Sequence, residues 1–183
     1  MKINDGKGRG YEAGVGPDGV HAVARTMDHA VTRNRAGYAF VGVATNRTPG
    51  GAGQVFQHLA NIGTTDIEVL KIRVVGAAAE TVVVTLGADS AIINNTVALP
   101  INLDRGFTSN TSGLVDHNTG TNIATLGTSQ AIGYMGISAA QGTAEWEPVP
   151  RIIIPPGSAL WLGGNAGAVA LWSSIEFVVK GDE

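Results

Sequence analysis

Residues 169–180 alternate without a break. Val169, Leu171, Ser173, Ile175, Phe177 and Val179 fall on one side of an extended chain. Ala170, Trp172, Ser174, Glu176, Val178 and Lys180 fall on the other. Successive side chains of a strand point to opposite faces, so this segment reads as one long strand with an apolar face. A slip of one residue would turn the whole apolar row outward, so its pairing is strongly specified.

Shorter strand patterns precede it. Residues 55–59 form one candidate. Residues 66–69 and 70–74 both alternate, but their phases differ by one residue, the mark of a β-bulge. Residues 81–86 place Val82, Val84 and Leu86 on one face, and residues 91–99 read as a further strand. Residues 106–144 carry a single charged side chain, Asp116, among many Thr, Ser, Asn and Gly. They read as long loops with short strands, the clearest at 132–137. Residues 151–154 and 158–162 flank the turn Pro155-Pro156-Gly157. About eight strands, few helix signals and no strand–helix alternation predict an all-β fold. Long crossing loops favour a jelly-roll-like β-sandwich over an up-and-down barrel.

Residues 1–37 differ from the rest. Six basic residues stand against four acidic ones, a net +2 that leaves −5 for the remainder of a chain of formal charge −3. Six glycines precede Val20. Pro17-Asp18-Gly19 is a turn sequence between two short apolar runs, 11–15 and 20–24, which predicts a hairpin; a short helix near 26–33 is a weaker signal. The expected division is therefore a glycine-rich N-terminal arm or hairpin at 1–37 and a sandwich at 38–183.

Composition narrows the function. Charged residues make up 15% and hydrophobic ones 44%, so the chain covers little of its surface with charge. That favours surface hidden against partner subunits. No broad basic field exists to gather nucleic acid, and no apolar run is long enough for a membrane helix. The N-terminus has no apolar signal core, so synthesis in the cytoplasm is expected. The absence of cysteine removes disulfides and thiolate chemistry.

The search for chemistry yields little. His21, His29, His58 and His117 form no metal-binding spacing, and His58 reads as a half-buried or surface residue of a strand while His117 lies in a polar loop. Gly-x-Ser-x-Gly is absent. Glu145 and Glu147 share a side of a short strand and read as a solvated face beside Trp146. The run Gly6-Lys7-Gly8-Arg9-Gly10 lacks the strand and helix that a phosphate loop requires, and reads as an extended arm. No catalytic residue, metal or cofactor is predicted. Trp146, Trp161 and Trp172 are the candidate contact residues, in the core, at a subunit interface or stacked on a glycan.

The segment Asn4-Asp5-Gly6-Lys7-Gly8-Arg9-Gly10-Tyr11-Glu12-Ala13, then Asp18-Gly19-Val20-His21-Ala22-Val23-Ala24 and Gly37-Tyr38-Ala39-Phe40, resembles the opening of tailed-bacteriophage virion accessory proteins. Pro155-Pro156-Gly157-Ser158-Ala159-Leu160 and the terminal strand resemble their jelly-roll-like body. Residues 100–145 match nothing in it. The resemblance implies a capsid decoration (cement) or head-fibre protein: a homotrimer on the virion surface, bound to the major capsid protein, with no direct nucleic acid or membrane partner. Lys2, Lys7, Arg9 and Arg25 are then the expected capsid-docking residues. A receptor- or glycan-binding module of a fibre or tail is the alternative, with a cell-surface glycan as partner.

Overall fold

The structure, a computed structural model, describes residues 2–4, 12–15, 22–25, 38–89, 92, 96–103, 113–124 and 131–180. Within residues 1–37 three strands are described: β1 (Lys2–Asn4), β2 (Glu12–Val15) and β3 (Ala22–Arg25). They pair antiparallel in the order β1-β2-β3. The expected hairpin is the β2–β3 pair; the turn at Pro17-Asp18-Gly19, the helix signal near 26–33 and the run 6–10 lie outside the described residues.

The body holds β4 (Ala39–Arg47), β5 (Gln54–Asn61), β6 (Ile67–Gly76), β7 (Glu80–Ala88), β8 (Thr96–Val97), β9 (Ile101–Asn102), β10 (Val115–Thr119), β11 (Ala131–Ile137), β12 (Gly142–Trp146), β13 (Ile152–Ile154), β14 (Ser158–Gly164) and β15 (Leu171–Val179). Two antiparallel sheets result. One has the order β11-β7-β14-β5-β10-β8, the other β12-β6-β15-β4-β9, with β13 also on β6. The fold is the all-β sandwich that the strand and turn pattern predicts.

Eight strand positions nest: β4 pairs the last strand β15, β15 pairs β6, and β6 pairs β12 and β13 in succession. In the facing sheet β5 pairs β14, β14 pairs β7, and β7 pairs β11. β8, β9 and β10 come from the chain between β7 and β11 and extend one edge of each sheet.

The core lies between the sheets. Phe40, Phe56, Leu59, Ile67, Ile72, Leu160, Leu162, Ile175 and Phe177 are fully enclosed there. Phe40 and Phe177 stack across the register pair that joins β4 to β15, with ring centroids 5.8 Å apart. β15 keeps its phase while its partners bulge: β6 carries Leu70 as an extra residue where the pairing jumps from Lys71 to Val69. Ile67 and Val69, then Ile72 and Val74, therefore all reach the core. A second bulge, at Phe56 of β5, turns both Phe56 and Gln57 toward the facing sheet.

Two expectations fail here. Residues 91–99 were expected as a strand, but the described part is strand only at Thr96–Val97, and residues 98–100 leave the ladder before Pro100. His117, expected in a polar loop within 106–144, lies in β10, an interior strand of its sheet. Its sequence Val-Asp-His-Asn-Thr hides the pattern because polar side chains occupy its buried positions.

A buried carboxylate fastens one end of the sandwich. Glu80, at the start of β7, accepts hydrogen bonds from the backbone N–H groups of Thr81 (2.7 Å), Ala166 (3.0 Å) and Gly167 (3.0 Å). It thereby holds the connection between β14 and β15 against β7.

Candidate interaction site

Residues 96–103 read Thr-Val-Ala-Leu-Pro-Ile-Asn-Leu, with aliphatic side chains at Val97, Leu99, Ile101 and Leu103. The four are 64, 72, 61 and 41% exposed among the described residues. The segment crosses from β8, the last strand of one sheet, to β9, the last strand of the other. Val97 pairs with Asn118 on the outer face of one sheet, and Ile101 pairs with Val41 on the outer face of the other, the face that also carries the exposed Val43, so these apolar side chains wrap the edge of the sandwich. Residues 96–103 and 38–46 contain no charged side chain; adjacent β10 carries Asp116.

The segment is held from beneath. Ala98 N–H donates to the His117 carbonyl (2.9 Å) and Leu103 N–H to the Ala39 carbonyl (2.9 Å). The His117 ring returns a bond from Nδ1 to the Ala98 carbonyl (2.5 Å). Its Nε2 accepts from the Gln57 amide (2.9 Å), whose second N–H donates to the Gly42 carbonyl (3.1 Å). The Ser173 hydroxyl donates to Gln57 Oε1. These bonds place the imidazole proton on Nδ1 and satisfy Gln57 fully. Gly42 is required by this packing, since a Cβ there would stand 2.9 Å from the His117 ring. His117, Gln57 and Ser173 are all buried, and burial holds the His117 pKa below its ordinary value.

His58 lies on the other face of the β5 sheet. It packs on Trp161 with ring centroids 4.1 Å apart, and its Nε2 lies 3.0 Å from Asp89. Desolvation lowers its pKa, with the Asp89 contact opposing. Nδ1 is buried without a partner among the described residues. His58 is thus buried, at 1% exposure, rather than half-buried or at the surface, because residues such as Ile123 form a second small core over this face.

At the opposite edge of the sandwich, β11 and β12 flank an open groove of about 450 Å³ lined by Gly133, Tyr134, Met135, Gly136, Ala144, Glu145 and Trp146. Tyr134 is 66% exposed. The Trp146 ring lies over Gly133, where a Cβ would come within 2.7 Å of it. Glu145 is held by Lys71 (2.9 Å) and Arg73 (3.1 Å), and Lys71 also faces Glu147 (3.5 Å). Lys71 lowers the Glu145 pKa in return.

No family model, curated protein or solved structure matches this chain.

The sequence-predicted contact residues do not converge. Trp146 lines the groove, Trp161 is buried inside the chain against His58, and Trp172 is partly exposed on the outer face of β15. Trp161 is therefore committed to intrachain packing and presents no ring to a glycan or a subunit. Lys2 lies in β1 and Arg25 in β3, at opposite edges of the three-stranded sheet. Lys7 and Arg9 lie outside the described residues. Among the described residues no group of three His, Asp or Glu is placed to hold a metal ion. No described helix is long and apolar enough to cross a membrane. Sequence reasoning missed the exposed segment 97–103. Nothing in its sequence distinguishes aliphatic side chains that face a core from ones that face water.

Proposed function

We propose that this protein is a non-enzymatic structural component of a tailed-phage particle, decorating and stabilising the capsid exterior as a homotrimer. The observation that carries the reading is the set of exposed aliphatic side chains at Val97, Leu99, Ile101 and Leu103, which suits an assembling subunit. The nested strand order supports it too, since we read the pairing β4-β15-β6-β12/β13 facing β5-β14-β7-β11 as a jelly roll of eight strands. The leader resemblance supplies the virion context. In this reading residues 1–37 dock on the major capsid protein through Lys2, Lys7, Arg9 and Arg25, and many weak contacts hold by multivalency.

The test is co-sedimentation of the full-length protein with capsids of the phage that encodes it, with and without residues 1–37. Full-length protein should pellet with capsids, less so as salt rises. The truncated protein should keep its melting temperature and stay in the supernatant. Full-length protein that never pellets with capsids refutes the proposal, and a truncated protein that still pellets refutes the docking role of the leader.

One observation favours a second reading, a glycan-binding module of a fibre or tail. The groove between β11 and β12 sets an exposed tyrosine, a tryptophan and a carboxylate fixed by two cations side by side. A glycan array separates the two: binding lost on Tyr134→Ala supports the second reading.

A further inference from the structure

We infer that the groove between β11 and β12 takes a neutral pyranose, with one face of the sugar against an aromatic ring and a neighbouring pair of its hydroxyls on Glu145 and Arg73. The inference deepens the glycan-binding reading, on which it rests, by naming the class of sugar and the contacts that select it.

The strand register fixes how the groove is built. Gly133 and Met135 pair with Val84 and Val82, and Ala144 and Trp146 pair with Val74 and Ile72; all four partners belong to the main core. These groove residues therefore point between the sheets and form a floor. Tyr134 and Glu145 alternate with them and stand on the two lips, one at the edge of each sheet. Packed sheets lie about 10 Å apart, so the seam between the two edges admits a single sugar ring and not a folded domain. Its volume of about 450 Å³ suits a small ligand. A Cβ on Gly136 would meet nothing within 4 Å, so the wall beside Tyr134 stays open.

The lining selects the ligand. Tyr134 is 66% exposed and Trp146 is only half-buried, so aromatic surface meets water on one lip and along the floor. Such rings suit a ligand that is apolar on one face and polar around its rim, as a pyranose is. Lys71 at 2.9 Å and Arg73 Nε at 3.1 Å fix the Glu145 carboxylate, and the Lys71 contact favours its ionised form. The carboxylate accepts from an O–H, and the remaining N–H groups of Arg73 donate beside it. An acceptor next to a donor matches two neighbouring hydroxyls, one donating and one accepting. Lys71 and Arg73 balance Glu145 and Glu147, which leaves no surplus cation to hold an acidic sugar. A peptide strand is the other occupant that a sheet edge can take, and both edges oppose it. β11 is bulged between Ala131 and Gly133, and β12 carries the charged Glu145 on its edge.

Calorimetric titration of the full chain with the methyl glycosides of glucose, mannose and galactose tests the site, with glucuronic and galacturonic acids as acidic counterparts. At least one neutral glycoside should bind in the millimolar range, and neither acid should bind more tightly. Tyr134→Ala should weaken binding about five- to tenfold, the scale of one stacked ring. Glu145→Gln keeps the shape and removes the charge, and should weaken it about tenfold, the scale of one charge-assisted hydrogen bond. Both side chains are exposed, so the circular dichroism spectrum should not change. Val149→Ala, 92% exposed and outside the groove, should bind as the unaltered protein does. Binding of no neutral glycoside, or undiminished binding by either Tyr134→Ala or Glu145→Gln, overturns the inference. So does a peptide library that enriches Tyr134-dependent peptides while no sugar binds. On a glycan array, acidic glycans held through Tyr134 would overturn the neutral class and leave the glycan-binding reading standing, whereas an array on which nothing binds removes both.

Discussion

Acid should destabilise this protein earlier than its carboxylates can explain. His58 and His117 are 1 and 2% exposed, and both have pKa values held below the ordinary 6.5, chiefly by burial. The folded state therefore binds fewer protons than the unfolded state as pH falls through 6.5. Stability is complete above that value, declines below it, and levels off only once the folded histidines themselves titrate. If both rings stay neutral in the folded protein, each withdraws about 1.4 kcal/mol by pH 5.5, about 2.8 kcal/mol together. The structure gives a reason for neutrality at His117. A proton on Nε2 would face the Gln57 amide, itself a donor, and the Gln57 carbonyl oxygen already accepts from Ser173. Urea unfolding at pH 8, 7, 6.5, 6 and 5.5 measures the effect. His58→Gln should roughly halve the slope, since one titrating group remains. Unfolding free energies that stay flat between pH 7 and 5.5 would refute the account, as would a His58→Gln variant with the full wild-type slope.

The core and the clasp give two sharper stability tests. Phe177→Ala should cost about 3–5 kcal/mol in chemical denaturation, because it empties the space beneath Phe40, while Glu176→Ala on the other face should change little. Equal costs would show that the register of β15 is wrong. Glu80→Ala should cost about 2–3 kcal/mol by leaving the N–H groups of Thr81, Ala166 and Gly167 without their charged acceptor. Amide exchange at Ala166 and Gly167 should accelerate with it, and unchanged protection there would count against the clasp.

The parts of this fold that could be read from sequence are those where polarity reports burial. β15 alternates, and its odd-numbered residues from Leu171 to Val179 are the buried ones. The phase slip before Leu70 marks a real bulge, because only an inserted residue lets 67, 69, 72 and 74 all face inward. β10 could not be read, since His117 and Thr119 point into the sandwich among other polar groups. Arg47 donates to Thr119 Oγ1 at 2.9 Å just as Gln57 bonds His117. Partners 60 to 72 residues apart in sequence make those positions tolerable, and no local pattern announces them. Trp161 and His58 were equally opaque. Their burial depends on the second core around Ile123, which comes from another part of the chain.

Around the segment between β7 and β11 the usual arrangement is thus inverted, at an energetic cost. Val97, Leu99, Ile101 and Leu103 stand outside while His117, Gln57 and Ser173 stand inside. Each exposed aliphatic forgoes roughly 1–2 kcal/mol of the transfer free energy that burial would supply. Each buried polar group would cost about 1–3 kcal/mol if its partner were missing, which is why the chain from Ser173 through Gln57 to His117 and Ala98 is complete. Exchanging the two sets, with the aliphatics inward and the polar groups outward, would stabilise a monomer more simply. A substitution such as His117→Leu removes the bond to Ala98 without touching the exposed aliphatics. It should loosen the backbone at Ala98, read as faster amide exchange there, even where the remaining fold survives.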